Sequence, residues 1–145
     1  MSRLFIDCEF NGMGGGLISL ALASEDGDRE FYEVVECHED IEPWVRDNVM
    51  PILGKTALKK EEFQKRLSTF LKQFPTVHVV ADFPDDIKHL MEIMLTGPGE
   101  WFMIQPMTME IDDQLSAKKS KIKHNALEDA RALRWSYFKN QGMVE

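Results

Sequence analysis

Alternation dominates the first third of the chain, and helical spacing takes over after it. Arg3 to Asp7 is a short apolar run rich in strand formers that ends on an acid. Leu17 to Ala23 is a second strand and Glu30 to Val35 a third. The glycine-rich stretch from Phe10 to Gly16 and the tetrapeptide Glu25-Asp26-Gly27-Asp28 read as turns, so the three strands form an antiparallel meander. Pro43 then opens a short helix carrying Trp44, Val45, Val49 and Met50, which Pro51 ends. Lys59 to Phe74 is the clearest amphipathic helix, with Phe63, Leu67, Phe70, Leu71 and Phe74 on one stripe. Val77 to Ala81 is a short apolar strand. Pro84 starts a helix that runs through Ile87, Leu90, Met91, Met94 and Leu95 until Gly97-Pro98-Gly99 stops it. Trp101 to Pro106 is a weakly defined strand, and residues 108–117 carry little pattern. The last helix starts at Asn125, continues through Ala130, Leu133, Arg134 and Phe138, and ends at Gly142. A meander followed by a strand and helices predicts one α/β domain over residues 1–145, a mixed sheet flanked by helices.

Charge narrows the function classes. With 17 basic and 25 acidic residues among 145, the net charge is −8, which argues against broad adhesion to duplex nucleic acid or anionic membrane. A short single strand held in a cation-loaded pocket is still compatible, because bound divalent ions invert the local field. Cys8 and Cys37 form neither a disulfide framework nor a metal-spaced set, which fits a reducing cytoplasm. The first apolar run is too short for a signal peptide, and no segment has the length of a membrane span.

Four stretches carry candidate chemistry. Asp7 and Glu9 alternate around Cys8 at the end of the first strand, so both carboxylates point to one face. Their repulsion calls for a cation or a proton, or else for full solvation on an edge strand. The glycines of residues 12–16 do not make a phosphate loop: no Gly-Lys-Ser/Thr follows, and Leu17 stands where the dinucleotide pattern needs its third glycine. Asp85 and Asp86 open a helix directly after a strand, a place where the helix dipole favours acids and where open α/β sheets build their sites. In His124-Asn125-Ala126-Leu127-Glu128-Asp129-Ala130, Asn125 caps a helix, with Glu128 placed for a capping box. Asp129 is then fixed in the first turn, and His124 lies on the loop before it. Lys118-Lys119-Ser120-Lys121-Ile122-Lys123 is a solvated charge run or, so close to His124, a set of phosphate contacts.

Together these acidic islands resemble the motifs of the DEDD superfamily of 3′–5′ exonucleases, in its DEDDh (DnaQ-like) subgroup. Asp7-Cys8-Glu9 matches the first motif, Asp-x-Glu. His124, Ala126, Asp129 and Ala130 match the third, His-x-Ala-x-x-Asp-Ala. The second motif, a strand ending in Asn followed four residues later by an acid, is met by Ala81-Asp82 and Asp86-Ile87 with Asp82 in place of the Asn. Asp86 is thus the motif acid, ahead of Asp85 and Asp82. Trp44-Val45-Arg46-Asp47-Asn48-Val49-Met50-Pro51 and Ala81-Asp82-Phe83-Pro84 are similar to segments of the small stand-alone exoribonucleases, the ribonuclease AS-like proteins related to ribonuclease T and oligoribonuclease.

The resemblance implies a ribonuclease H-like mixed sheet, release of nucleoside monophosphates from a single-stranded 3′ end, RNA as substrate, and a homodimer. It also implies two divalent ions, Mg²⁺ or Mn²⁺, held by Asp7, Glu9, Asp86 and Asp129, with His124 taking the proton of the attacking water. Phe10 becomes a candidate for stacking the terminal base, and the backbone of Phe10, Asn11 and Gly12 for contacting the 3′ nucleotide. A DNA exonuclease for proofreading or repair would use the same residues. A catalytically silent nucleic-acid-binding module on the same fold is the alternative from another class.

Overall fold

The computed structural model describes residues 2–102 and 105–143. Three strands open the chain: β1 (Arg3–Phe10), β2 (Leu17–Ser24) and β3 (Glu30–Val34), each antiparallel to the one before it. Then come α1 (Pro43–Asn48), a single 3-10 turn (Met50–Ile52), α2 (Lys60–Leu71), β4 (Val77–Ala81) and α3 (Pro84–Met94). A two-stranded hairpin, β5 (Leu95–Gly97) with β6 (Glu100–Trp101), precedes β7 (Met107–Ile111) and the final helix α4 (Ala126–Asn140). The main sheet runs β3-β2-β1-β4-β7, with β4 parallel to β1 and β7 parallel to β4. The expected mixed α/β sheet with flanking helices is therefore present.

Strand β1 sits at the centre of the sheet, and its alternation decides what lies on each side. Leu4, Ile6 and Cys8 point into the larger core with Leu20, Leu22, Phe63, Leu67, Leu71, Leu90 and Met94, beneath α2 and α3. Phe5 points the other way, with Val80, Leu115 and Leu133 beneath α4. Ala21 and Ala23 of β2 meet Ala126 and Ala130 of α4 on that second face. Four alanines let the helix backbone approach the sheet closely, which brings the first turn of α4 up to β1.

Several element ends differ from the sequence pattern. Strand β1 continues to Phe10 through a bulge at Glu9/Phe10. Helix α1 stops at Asn48, and Pro51 lies inside the following 3-10 turn rather than ending the helix. With only six residues, α1 buries Val45 but leaves Trp44 54% exposed. Helix α2 ends at Leu71, and Phe74 is buried just beyond it. Helix α3 ends at Met94, before the glycines, because Leu95 turns extended to begin the hairpin. Residues 107–111, inside or beside the region that carried little pattern, form β7. It is an edge strand with Thr108, Glu110 and Ile111 exposed. Of the strand expected over Trp101 to Pro106, residues 103 and 104 lie outside the described residues. Among the described residues no helix is long and apolar enough to cross a membrane.

Candidate functional site

Strand β1, the end of β4 and two helix starts converge on one acidic centre. Asp7 and Glu9 leave β1 on the α4 side, as their alternation with the buried Cys8 predicts. The parallel register pairs Leu4 with Val79 and Phe5 with Val80; continued by two residues, it sets Asp82 beside Asp7. Asp129 arrives from the first turn of α4 and Asp86 from the first turn of α3. Oxygen atoms of Asp7, Glu9 and Asp129 lie within 4.8 Å of one another, and so do oxygen atoms of Asp7, Asp82 and Asp86. Asp7 belongs to both triads and so stands at the middle of five carboxylates. Asp82, ranked behind Asp86 in the sequence, is a full member, whereas Asp85 belongs to neither triad.

Local structure holds each acid in place. The Asn125 side chain caps α4 by accepting from the Glu128 N–H at 3.1 Å, and its amide donates to the Ile52 carbonyl at 3.1 Å. Only half of the expected capping box forms, because the Glu128 carboxylate pairs with Arg131 instead of turning back. Tyr32 adds a brace by donating to the Leu53 carbonyl at 2.6 Å. Asp86 accepts the Cys8 backbone N–H at 3.0 Å, which ties α3 to β1 just past the last β1–β4 pair. Ser120 and His124 stand near the Asp129 carboxyl and favour its charged form, against the burial that raises it.

His124 adopts a left-handed backbone, φ 70°, the one such non-glycine residue among the described residues. That conformation is uncommon outside glycine and turns the ring away from the helix line. The imidazole is exposed and meets the Trp44 indole edge-on, with centroids 4.9 Å apart. Trp44 is thus a site neighbour, although its only sequence signal was its place in the segment similar to exoribonucleases.

Electrostatics mark the centre as incomplete by itself. Burial, followed by the charges of Asp86, Glu9 and Asp129, holds the Asp7 carboxyl well above the usual carboxylate range. Glu9 is pushed from 4.5 up to about 8, by burial first and then by Asp129 and Asp86. Asp86 also rises to about 8, by burial and the neighbouring Asp82. Asp82 and Asp129 are raised as well, burial being the first cause in both. Asp7 Oδ2 is buried with no hydrogen-bond partner. A buried, unpartnered carboxylate oxygen amid four more carboxylates is costly, and cations offset that cost. An all-oxygen donor set suits hard divalent ions such as Mg²⁺ or Mn²⁺, so the residues present fit such a group.

The loop residues expected to contact substrate have other partners. Phe10 lies on the opposite face from Glu9, partly buried, and stacks on His89 at 4.6 Å. The Asn11 amide donates to the Glu39 carboxylate and the Asp40 carbonyl, while its oxygen accepts the Glu42 N–H. The Asn11 N–H is used by the Gly16 carbonyl and the Gly12 N–H by the Phe10 carbonyl. Gly12 has φ 74°, a left-handed backbone that residues with a side chain rarely adopt. Asn11 therefore fastens the loop of residues 11–16 to the segment of residues 39–42. Lys118, Lys119, Lys121 and Lys123 are all exposed on the loop leading to His124.

No model of a known protein family matches this chain, and no curated protein matches it either.

Proposed function

We propose that this chain is a metal-dependent 3′–5′ exonuclease of the DEDDh type on a ribonuclease H-like fold, shortening single-stranded nucleic acid, with RNA as its substrate. The observation that supports it most is the convergence of five carboxylates from four separate elements around the unpartnered Asp7 oxygen. The motif pattern of Asp7, Glu9, Asp86, His124 and Asp129 supplies the exonuclease reading. RNA rests on the resemblance of residues 44–51 and 81–84 to exoribonuclease segments.

Two divalent ions bound there, Mg²⁺ or Mn²⁺, would lower the pKa of a water and offset the charge that builds on the phosphate during in-line displacement. Asp7, Glu9 and Asp129 would hold one and Asp7, Asp82 and Asp86 the other. His124 accepts the proton of the attacking water from the loop before α4, while Asp129 stays fixed on its helix. Trp44 positions that imidazole. The Cys8 N–H orients the Asp86 carboxylate, so this acid keeps its geometry as charge builds on the substrate.

The test is the degradation of matched 5′-labelled RNA and DNA single strands with Mg²⁺ or Mn²⁺, with Asp129→Ala as control. A ladder shrinking from the 3′ end, faster for RNA and abolished by the substitution and by a chelator, is the expected result. No shortening of either strand by folded protein would overturn the reading in favour of a silent binding module.

A further inference from the structure

The outer side of α4 carries a feature that the acidic centre does not use. Lys119 and Lys121, with Arg131, Arg134 and Trp135 of α4, line a hollow of about 440 Å³. A second hollow of about 220 Å³ continues past Trp135 to Lys118 and Lys139, with Lys119 and Trp135 shared between the two. Six of the 17 basic residues of a chain with net charge −8 thus gather along one helix and its preceding loop.

The carboxylates nearby are already engaged. Glu30 is held by Arg131 at 2.6 Å and Glu128 by the same guanidinium at 2.6 Å. That leaves Lys119 and Lys121 without an acidic partner among the described residues. Trp135 is half-buried with the Lys139 ammonium 5.2 Å from its ring centroid. One cation at a partly open indole, with further lysines lining the same hollows, matches a polyanion whose units also stack, which is the chemistry of a single-stranded nucleic acid. The lysines edge a recess rather than a flat or protruding face, which suits a strand better than a membrane surface.

The groove and the acidic centre share the first turn of α4. Glu128, Arg131 and Trp135 fall at i, i+3 and i+7 on one stripe of α4, a track roughly 10 Å long. Its upper end is at Glu128, one residue before Asp129 and about 100° around the helix from it. Ser120, between Lys119 and Lys121, donates to the Ile122 carbonyl at 3.1 Å, two residues before His124.

We propose that this groove binds the upstream, 5′-ward part of a single strand whose 3′ end occupies the acidic centre, the lysines contacting phosphates and Trp135 stacking a base. The proposal rests on the exonuclease reading for its direction, but its binding test does not.

The experiment measures fluorescence anisotropy of a labelled RNA single strand of roughly ten to fifteen nucleotides across a salt series. A chelator is present to prevent cleavage. Wild type is compared with Lys119→Glu/Lys121→Glu and with Trp135→Ala, each checked for folding by circular dichroism. The double variant is expected to bind at least about tenfold more weakly, with the slope of log affinity against log salt reduced by about 1.4. Trp135→Ala is expected to lose about tenfold with the salt slope kept. In a separate assay with metal, the double variant should lower the ratio of kcat/KM on the long strand to that on a dinucleotide.

Unchanged affinity and slope in both variants would overturn the groove while leaving the exonuclease reading intact. Equal competition by an acidic polypeptide such as polyglutamate would overturn it in favour of a protein partner. Variant-sensitive binding by a wild type that shortens no strand would support the groove and overturn the exonuclease reading instead.

Discussion

The two faces of β1 are opposite solutions built from alternate residues of one strand. On one face Leu4, Ile6 and Cys8 sink into a core with Phe63, Leu67 and Met94, where burial is favourable and every contact adds stability. On the other, beyond Phe5, Asp7 and Glu9 face Asp129, Asp82 and Asp86, where burial is unfavourable to each charge. The difference teaches where this fold concentrates its strain. The packed face keeps β1 in place while the acidic face collects groups that would separate if they were free to move. Such a site is stable only because its supports lie elsewhere, a pattern expected of functional centres.

The largest effect that separates the two faces is expected from Asp7→Asn. Activity should fall about 10³-fold or more, roughly 4 kcal/mol of lost transition-state stabilisation. The melting temperature of the metal-free protein at pH 8 should hold or rise, since one repelling charge is gone. Loss of both activity and stability would mean that Asp7 is structural.

Phe63→Ala on the packed face should do the reverse. Phe63 is fully buried, and its truncation should cost about 3–5 kcal/mol in denaturant unfolding. Activity per folded molecule should be kept. A loss below about 1 kcal/mol would place the stabilising core elsewhere.

Titration joins the two faces. Glu9 and Asp86 have folded values near 8 against ordinary values of 4.5 and 3.8. Between about pH 5 and 8 the folded protein retains protons that the unfolded chain has lost, so stability falls as pH rises through that window. Differential scanning calorimetry without metal should show this decline. Mg²⁺ at about a hundredfold its Kd should add roughly 2.7 kcal/mol and flatten the curve. A profile already flat without metal would contradict the raised carboxyls.

The smallest effect is expected at Trp44. Trp44→Ala should lower kcat about tenfold through a less constrained His124, with KM nearly unchanged. Trp44→Phe should restore much of the rate. An equal loss in the two variants would show that the edge-on ring does not position the imidazole.

Much of this contrast was legible in the chain itself. A period of two placed Asp7 and Glu9 together, and Asn125 with its polar cap placed Asp129 in a first helical turn. Asp82 was undervalued because its position depends on pairing β1 with β4, a register set by long-range packing rather than by local spacing. β7 was missed because an edge strand buries too little to show a strong apolar run, although Met107, Met109 and Ile111 do alternate. The meeting of Trp44 with His124 was not legible, since α1 and the loop before α4 come together only in the fold. The partners of Asn11 were unreadable for the same reason as Asp82, since residues 39–42 meet residues 11–16 only in the fold.

The claim that this acidic face exists for cations is tested most directly by calorimetric titration of the metal-free protein with Mn²⁺, beside Asp7→Asn and Asp82→Asn. Two bound ions per chain are expected for wild type, with protons released on binding. Asp7→Asn should weaken both sites and Asp82→Asn mainly one. Absence of Mn²⁺ binding by folded wild type, or affinity and stoichiometry unchanged by Asp7→Asn, would contradict it.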